Sequence, residues 1–133
     1  MLHVAHQLRE LRREMPGDLG RVGEPLVLIG LEPPQAVADD DAAADLLAAS
    51  GISAEVVSFH TVKPLDEEYL QQAASRFKLL VTVEEHSRIG GFGSAVAEWR
   101  MAQPRNVAQL GFGTDDVFMH EVGTQAYARK KYG

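Results

Sequence analysis

Short apolar runs alternate with stretches of helical periodicity along most of this chain. Leu26–Gly30 is a continuous apolar run, the pattern of a strand buried on both faces. Ala54–Phe59 and Leu79–Val83 are two more, and Val107–Leu110 is a fourth. Between them the apolar positions change to helical spacing. Ala36, Val37, Ala43, Ala44, Leu46 and Leu47 predict a helix from Pro34 to about Ser50, with Pro34 in its first turn and Gly51 as its stop. Tyr69, Leu70, Ala73, Ala74 and Phe77 predict another, N-capped by Asp66. Val96, Trp99 and Met101 place a third over Ser94–Ala102, ended by Pro104. Gln125–Tyr132 forms a last one, with Arg129, Lys130 and Lys131 near its negative end.

Strands that alternate with helices run parallel and are joined by right-handed crossovers. Ahead of them, Val4, Leu8, Leu11 and Met15 fall on one face of an amphipathic helix over Met1–Met15. Pro16 and Gly17 stop that helix, and Gly17–Pro25 reads as a linker.

Composition narrows the function classes. The 133 residues suit one domain with a real core, and 45% of them are hydrophobic. A formal net charge of -6 argues against broad binding to a phosphate backbone, so no nucleic-acid partner is expected. There is no cysteine, which excludes disulfides, thiolate catalysis and Cys-ligated zinc and fits a cytoplasmic protein. No apolar stretch approaches the ~20 residues of a membrane span, and no secretory signal follows the N-terminal arginines. Asp39, Asp40, Asp41 and Asp45 read as a solvated face at a positive helix end, not as a calcium loop, and no metal site is expected.

Parallel strands bring their carboxyl ends to one edge, where open α/β sheets take ligands or partners. That edge gathers Glu32, His60, Lys63, Glu85, His86, Ser87, Thr114 and Asp115. Glu84-Glu85-His86 is the sharpest cluster: a carboxylate beside a His can act as a base or orient the ring. Neighbours on an extended chain point to opposite faces, so Glu84 and Glu85 do not share a ligand easily. The alternative is a strand-end Glu that caps the next turn and a His at an interface. Gly90-Gly91-Phe92-Gly93-Ser94 leads into a helix whose backbone N–H groups can hold an anion, or it is a tight loop that lets the helix pack close to the sheet. Lys63-Pro64-Leu65-Asp66 is a helix-starting turn with one exposed cation.

Several of these pieces, in order, resemble the C-terminal domain of transketolase-like, thiamine-diphosphate-dependent enzymes. They are Gly51-Ile52-Ser53-Ala54 with Val56, then Thr61-Val62-Lys63-Pro64-Leu65-Asp66, then Val81-Thr82-Val83-Glu84-Glu85-His86. Gly90-Gly91-Phe92-Gly93-Ser94-Ala95-Val96, Gly123-Thr124-Gln125 and Lys131-Tyr132-Gly133 follow. The likeness is greatest to split-transketolase C-terminal subunits and deoxyxylulose-phosphate synthase. It covers roughly residues 22 to 133 and leaves residues 1–21 as N-terminal helix and linker. One turn departs from the family pattern: Leu31-Glu32-Pro33-Pro34 stands where relatives carry a small-residue Gly-Ser turn.

The resemblance implies a three-layer α/β/α domain with a mostly parallel five-stranded sheet and one antiparallel strand. A short edge strand in Gly113–Val122 or around Arg21–Glu24 supplies the fifth. It also implies an accessory role in subunit assembly, with no two-carbon transfer by the chain alone. Thiamine diphosphate and magnesium belong to partner domains, and none is bound by this chain by itself. The implied partners are thiamine-diphosphate-binding, transketolase-like subunits, with a homodimer as the other assembly such a domain allows. The corner formed by Glu85, His86, Ser87, Gly90, Gly91, Gly93 and Ser94, with His60 and Lys63, is the candidate interface or ligand site. No residue is assigned to catalysis. The rival function is an independent phosphate- or nucleotide-binding module that uses the Gly91–Ser94 helix start.

Overall fold

The computed structural model describes residues 26–31, 44–49, 51–105, 107–118 and 120–132. The expected helix over Met1–Met15, the linker, Arg21–Glu24, Glu32 and the aspartates Asp39, Asp40 and Asp41 lie outside the described residues. The elements are β1 (Leu26–Leu31), β2 (Ala54–Ser58), α1 (Glu67–Arg76), β3 (Leu79–Ser87), α2 (Phe92–Met101), β4 (Ala108–Thr114) and α3 (Gln125–Tyr132). Residues 44–48 are also helical.

The described strands form a four-stranded sheet in the order β2-β1-β3-β4, and every pairing is parallel. The mostly parallel α/β architecture is therefore present. Of the two places for a fifth strand, Gly113–Val122 holds the end of β4, with its other described residues outside any regular element, and Arg21–Glu24 is not described.

The strand order explains the layers. The step from β1 to β2 moves one way across the sheet; the steps to β3 and β4 move the other way. Crossovers of one hand then place the first connection on one face and the next two on the opposite face. The packing agrees. Leu47, from helical residues 44–48, packs with Leu26, Leu79, Val81 and Val83. Leu70 and Phe77 of the α1 region, and Phe92, Val96 and Trp99 of α2, pack with Val27, Ile29 and Leu80 on the other face. The period-two alternation of β3 thus sends Leu79, Val81 and Val83 to one core and Leu80, Thr82 and Glu84 to the other.

Local signals set the ends. Asp66 caps α1, its carboxylate accepting from the Tyr69 N–H at 3.0 Å. Gly51, at φ +73°, donates to Ala48 O at 2.9 Å, and Ile52 donates to Leu47 O at 3.0 Å. That paired pattern needs a left-handed residue, which glycine supplies, and it brings Ile52 into the core beside Leu47.

Candidate functional site

β3 does not end at Val83, as its apolar run suggests. It continues to Ser87 with a register shift between Val83 and Ser87. Glu84 is therefore a strand residue and faces α2. It is buried, whereas its neighbours Glu85 and His86 are exposed. Its two carboxylate oxygens accept from the Phe92 N–H at 2.6 Å and the Gly93 N–H at 2.9 Å. Residue Gly91, at the N-cap position, makes no side-chain cap bond. The Glu84 carboxylate, eight residues before Phe92, does that work and also places negative charge at the positive end of the helix. This is why α2 begins at Phe92 and not at Ser94.

The surrounding glycines are shaped by that carboxylate. A Cβ on Gly91 would lie 2.0 Å from Glu84 Oε2, and one on Gly93 would lie 2.8 Å from Thr82 Oγ1 and 3.2 Å from Glu84 Oε1. A Cβ on Gly113 would meet His86 O at 2.7 Å and Glu84 Cγ at 3.1 Å. Gln109 ties β4 into the same cluster, its amide nitrogen donating to Gly93 O at 2.8 Å. The Gly91–Ser94 helix start is thus occupied by the protein's own anion. It is not open to a phosphate, and a second negative charge there would be repelled.

The Ser87 and Ser94 hydroxyls are engaged with backbone. Ser87 Oγ accepts from the Ile89 N–H at 3.2 Å. Ser94 Oγ donates to Arg88 O and accepts from the Gly90 N–H, each at 3.0 Å. Gly90, at φ +75°, makes the turn that permits this. His86 Nδ1 lies 3.1 Å from Ser87 O, within its own loop. No three His, Asp or Glu side chains group as metal ligands among the described residues.

Glu85, His86, Ser87, Gly90, Gly91, Gly93 and Ser94 therefore share one corner. His60 and Lys63 do not join it. They follow β2, which β1 separates from β3, and both are exposed. Their corner is held by Thr61 Oγ1 donating to Pro64 O at 2.9 Å and by the Asp66 cap; the Lys63–Pro64 peptide is cis. In the core beneath the two corners, the Phe59 and Phe92 rings are 5.4 Å apart. Thr114 and Asp115 lie nearer: the Arg88 N–H donates to Thr114 O at 3.1 Å, and the Arg88 guanidinium pairs with Asp115.

Residues the sequence did not single out complete the rim. Ile89, Val117, Phe118 and Val122 are 70%, 58%, 87% and 103% exposed. The visible signal was an apolar Val-Phe following Asp115-Asp116, a polar place for a loop to turn hydrophobic.

The family model for the transketolase C-terminal domain matches residues 34–131. The chain belongs to the transketolase C-terminal domain family. Among its relatives, a transketolase C-terminal section of Methanocaldococcus jannaschii is 43% identical over 98 residues, covering 72% of this chain and 29% of that protein. The 1-deoxy-D-xylulose-5-phosphate synthase of Heliobacterium modesticaldum is 37% identical over 117 residues, covering 88% of this chain and 18% of the synthase. A solved structure described as a split gene transketolase, inactive beta4 tetramer, superposes with a TM-score of 0.71 at 34% identity, covering 90% of this chain and 40% of that one. As a transketolase C-terminal domain, the chain spans well under half the length of each of these relatives. No described helix is long and apolar enough to cross a membrane.

Proposed function

We propose that this chain is the accessory C-terminal part of a transketolase-like, thiamine-diphosphate-dependent enzyme. It supports assembly with the cofactor-binding domains and does not transfer two-carbon units alone. The observation that carries this reading is the Glu84 carboxylate on the Phe92 and Gly93 N–H groups. Backbone N–H groups at the carboxyl edge of a sheet are what an α/β domain offers a diphosphate, and here a buried side chain has taken them. The described residues do not fit thiamine diphosphate, and magnesium would find no ligand cluster among them. Both belong, on this reading, to partner domains. The description of the split-gene relative as an inactive tetramer supports the same view. The occupied helix start also counts against an independent phosphate or nucleotide binder at Gly91–Ser94.

The test combines turnover with assembly. The purified chain, given thiamine diphosphate and magnesium, is expected to leave ketose donors unchanged. Co-expression with the thiamine-diphosphate-binding portion of its own enzyme is expected to yield a complex and restore transfer. Turnover by the chain alone defeats the proposal. So does calorimetric binding of nucleotide or sugar phosphate without any complex.

A further inference from the structure

The two edges of the described sheet are not alike. β2, at one edge, carries Glu55, which pairs with Arg76 and accepts from the Tyr69 hydroxyl. Charges of that kind keep edge strands apart. β4, at the other edge, runs from Ala108 to Thr114 without a charge or a proline. Where its pairing with β3 shifts register, between Val83 and Ser87, the extra residues belong to β3, so no bulge blunts β4. An edge strand turns alternate N–H and C=O groups outward. The described chain beyond β4 does not cover them. Asp115–Phe118 and His120–Thr124 are all exposed, and none of their backbone groups bonds to Gln109–Gly113. On the face away from α2, Ala108, Leu110 and Phe112 pack against the core around Leu47, yet all three stay only half-buried.

The strand is complementary to itself. A second copy related by a two-fold axis perpendicular to the sheet runs antiparallel to the first and keeps the faces of the two sheets aligned. With the axis at Gly111, the middle of the 7-residue strand, Leu110 of each copy stands opposite Phe112 of the other, on the side of the Leu47 core. The ends match as well. Arg105 precedes β4 and Asp116 follows it. Both are exposed, and neither has a hydrogen bond or ion pair among the described residues. Two more cationic residues lie at the entry: Arg100 donates to Val107 O, and the Lys78 carbonyl accepts from the Ala108 N–H. At the exit Arg88 and Asp115 offset each other, which leaves Asp116. Antiparallel pairing therefore lays a positive end against a negative one on both sides of the axis. We propose that β4 pairs antiparallel with β4 of a second copy of this chain, joining two four-stranded sheets across Gly111. The inference goes beyond the accessory role and needs no companion domain.

Sedimentation of the full chain from micromolar to near-millimolar concentration is expected to show a monomer–dimer equilibrium. Amide hydrogen exchange over Gln109–Gly113 is expected to slow as the dimer fills. Asp116→Arg is expected to weaken the dimer about tenfold, and Arg105→Glu added to it to restore most of the affinity. The chain has no cysteine, so a single introduced one reports the contact. Gly111→Cys is expected to link two copies under mild oxidation; a Cβ there meets only Thr82 Oγ1, at 3.4 Å, which the fold accepts. Met101→Cys, 83% exposed on α2, is expected to stay unlinked. A chain that remains monomeric throughout overturns the inference and leaves the accessory role standing. So does a dimer whose Gln109–Gly113 amides exchange as fast as in the monomer, one that Asp116→Arg leaves unchanged, or equal linking at the two cysteine positions. Protection of those amides only when the thiamine-diphosphate-binding portion of the enzyme is added assigns the edge to that portion, and overturns it as well.

Discussion

Two strand-to-helix corners on the same sheet edge are built in opposite ways. The corner after β3 closes on itself: a buried carboxylate, two backbone N–H groups and glycines without room for a methyl fill it. The corner after β2 is open, with His60, Thr61, Lys63, Pro64 and Asp66 all exposed and local hydrogen bonds from Thr61 and to Asp66 shaping it. The glycine-rich stretch that looks most like a ligand loop is the one least able to take a ligand. A run of chemistry-bearing residues can therefore be architecture, and exposure, more than residue type, separates the two cases.

Removing the cap of each corner breaks the comparison most directly. Glu84→Ala leaves the Phe92 and Gly93 N–H groups buried without acceptors and opens a cavity beneath α2. Hydrogen bonds to a charged group and the cost of stranded buried donors together predict a loss of about 3–5 kcal/mol, read as a lower urea midpoint. Asp66→Ala removes one exposed cap and is expected to cost about 1 kcal/mol. Equal losses at the two positions would mean that the corners do not differ as described.

The main elements were legible because their signals are local. Asp66 and the Tyr69–Phe77 periodicity locate α1 almost to the residue, and the apolar runs locate β1 and β2. The errors fall where a distant side chain decides the outcome. The helix expected from Ser94 starts at Phe92, because Glu84 supplies acceptors from another element. The strand expected over Val107–Leu110 runs over Ala108–Thr114. Gly111 and Gly113 follow the expected run, yet both stay in the strand. At Gly113 a side chain would collide with His86 O and crowd Arg88 and Glu84, whereas at Gly111 it would make only an ordinary contact with Thr82. Gathering His60 and Lys63 with His86 on one edge was correct as topology. It missed the strand order, which puts β1 between them. The outward apolar residues of Asp115–Val122 have no sequence period, since no regular element imposes one.

The smallest effect sharpens the comparison from the open side. Glu55 of β2 accepts from the Tyr69 hydroxyl at 2.9 Å and pairs with Arg76, so this edge holds α1 by exposed and half-buried polar contacts. The Arg76 hydrogen bond, opposed in part by burial and aided by Tyr69, holds the Glu55 carboxyl below its ordinary range. A depressed folded value means that the stabilisation is present above the unfolded value of about 4.3 and is lost as the pH falls through the folded one. Arg76 is half exposed, so solvent screens the pair and limits it to at most about 1 kcal/mol. Burial first, and then Glu55, push the Tyr69 hydroxyl up, so its contribution is complete below about pH 10 and fades above. Glu55→Gln is accordingly expected to be slightly less stable than wild type at pH 7. The gap should narrow progressively in urea unfolding as the pH falls below the ordinary carboxylate range. A gap that does not narrow on acidification would place the Glu55 contribution in packing, and would make the open corner more like the closed one.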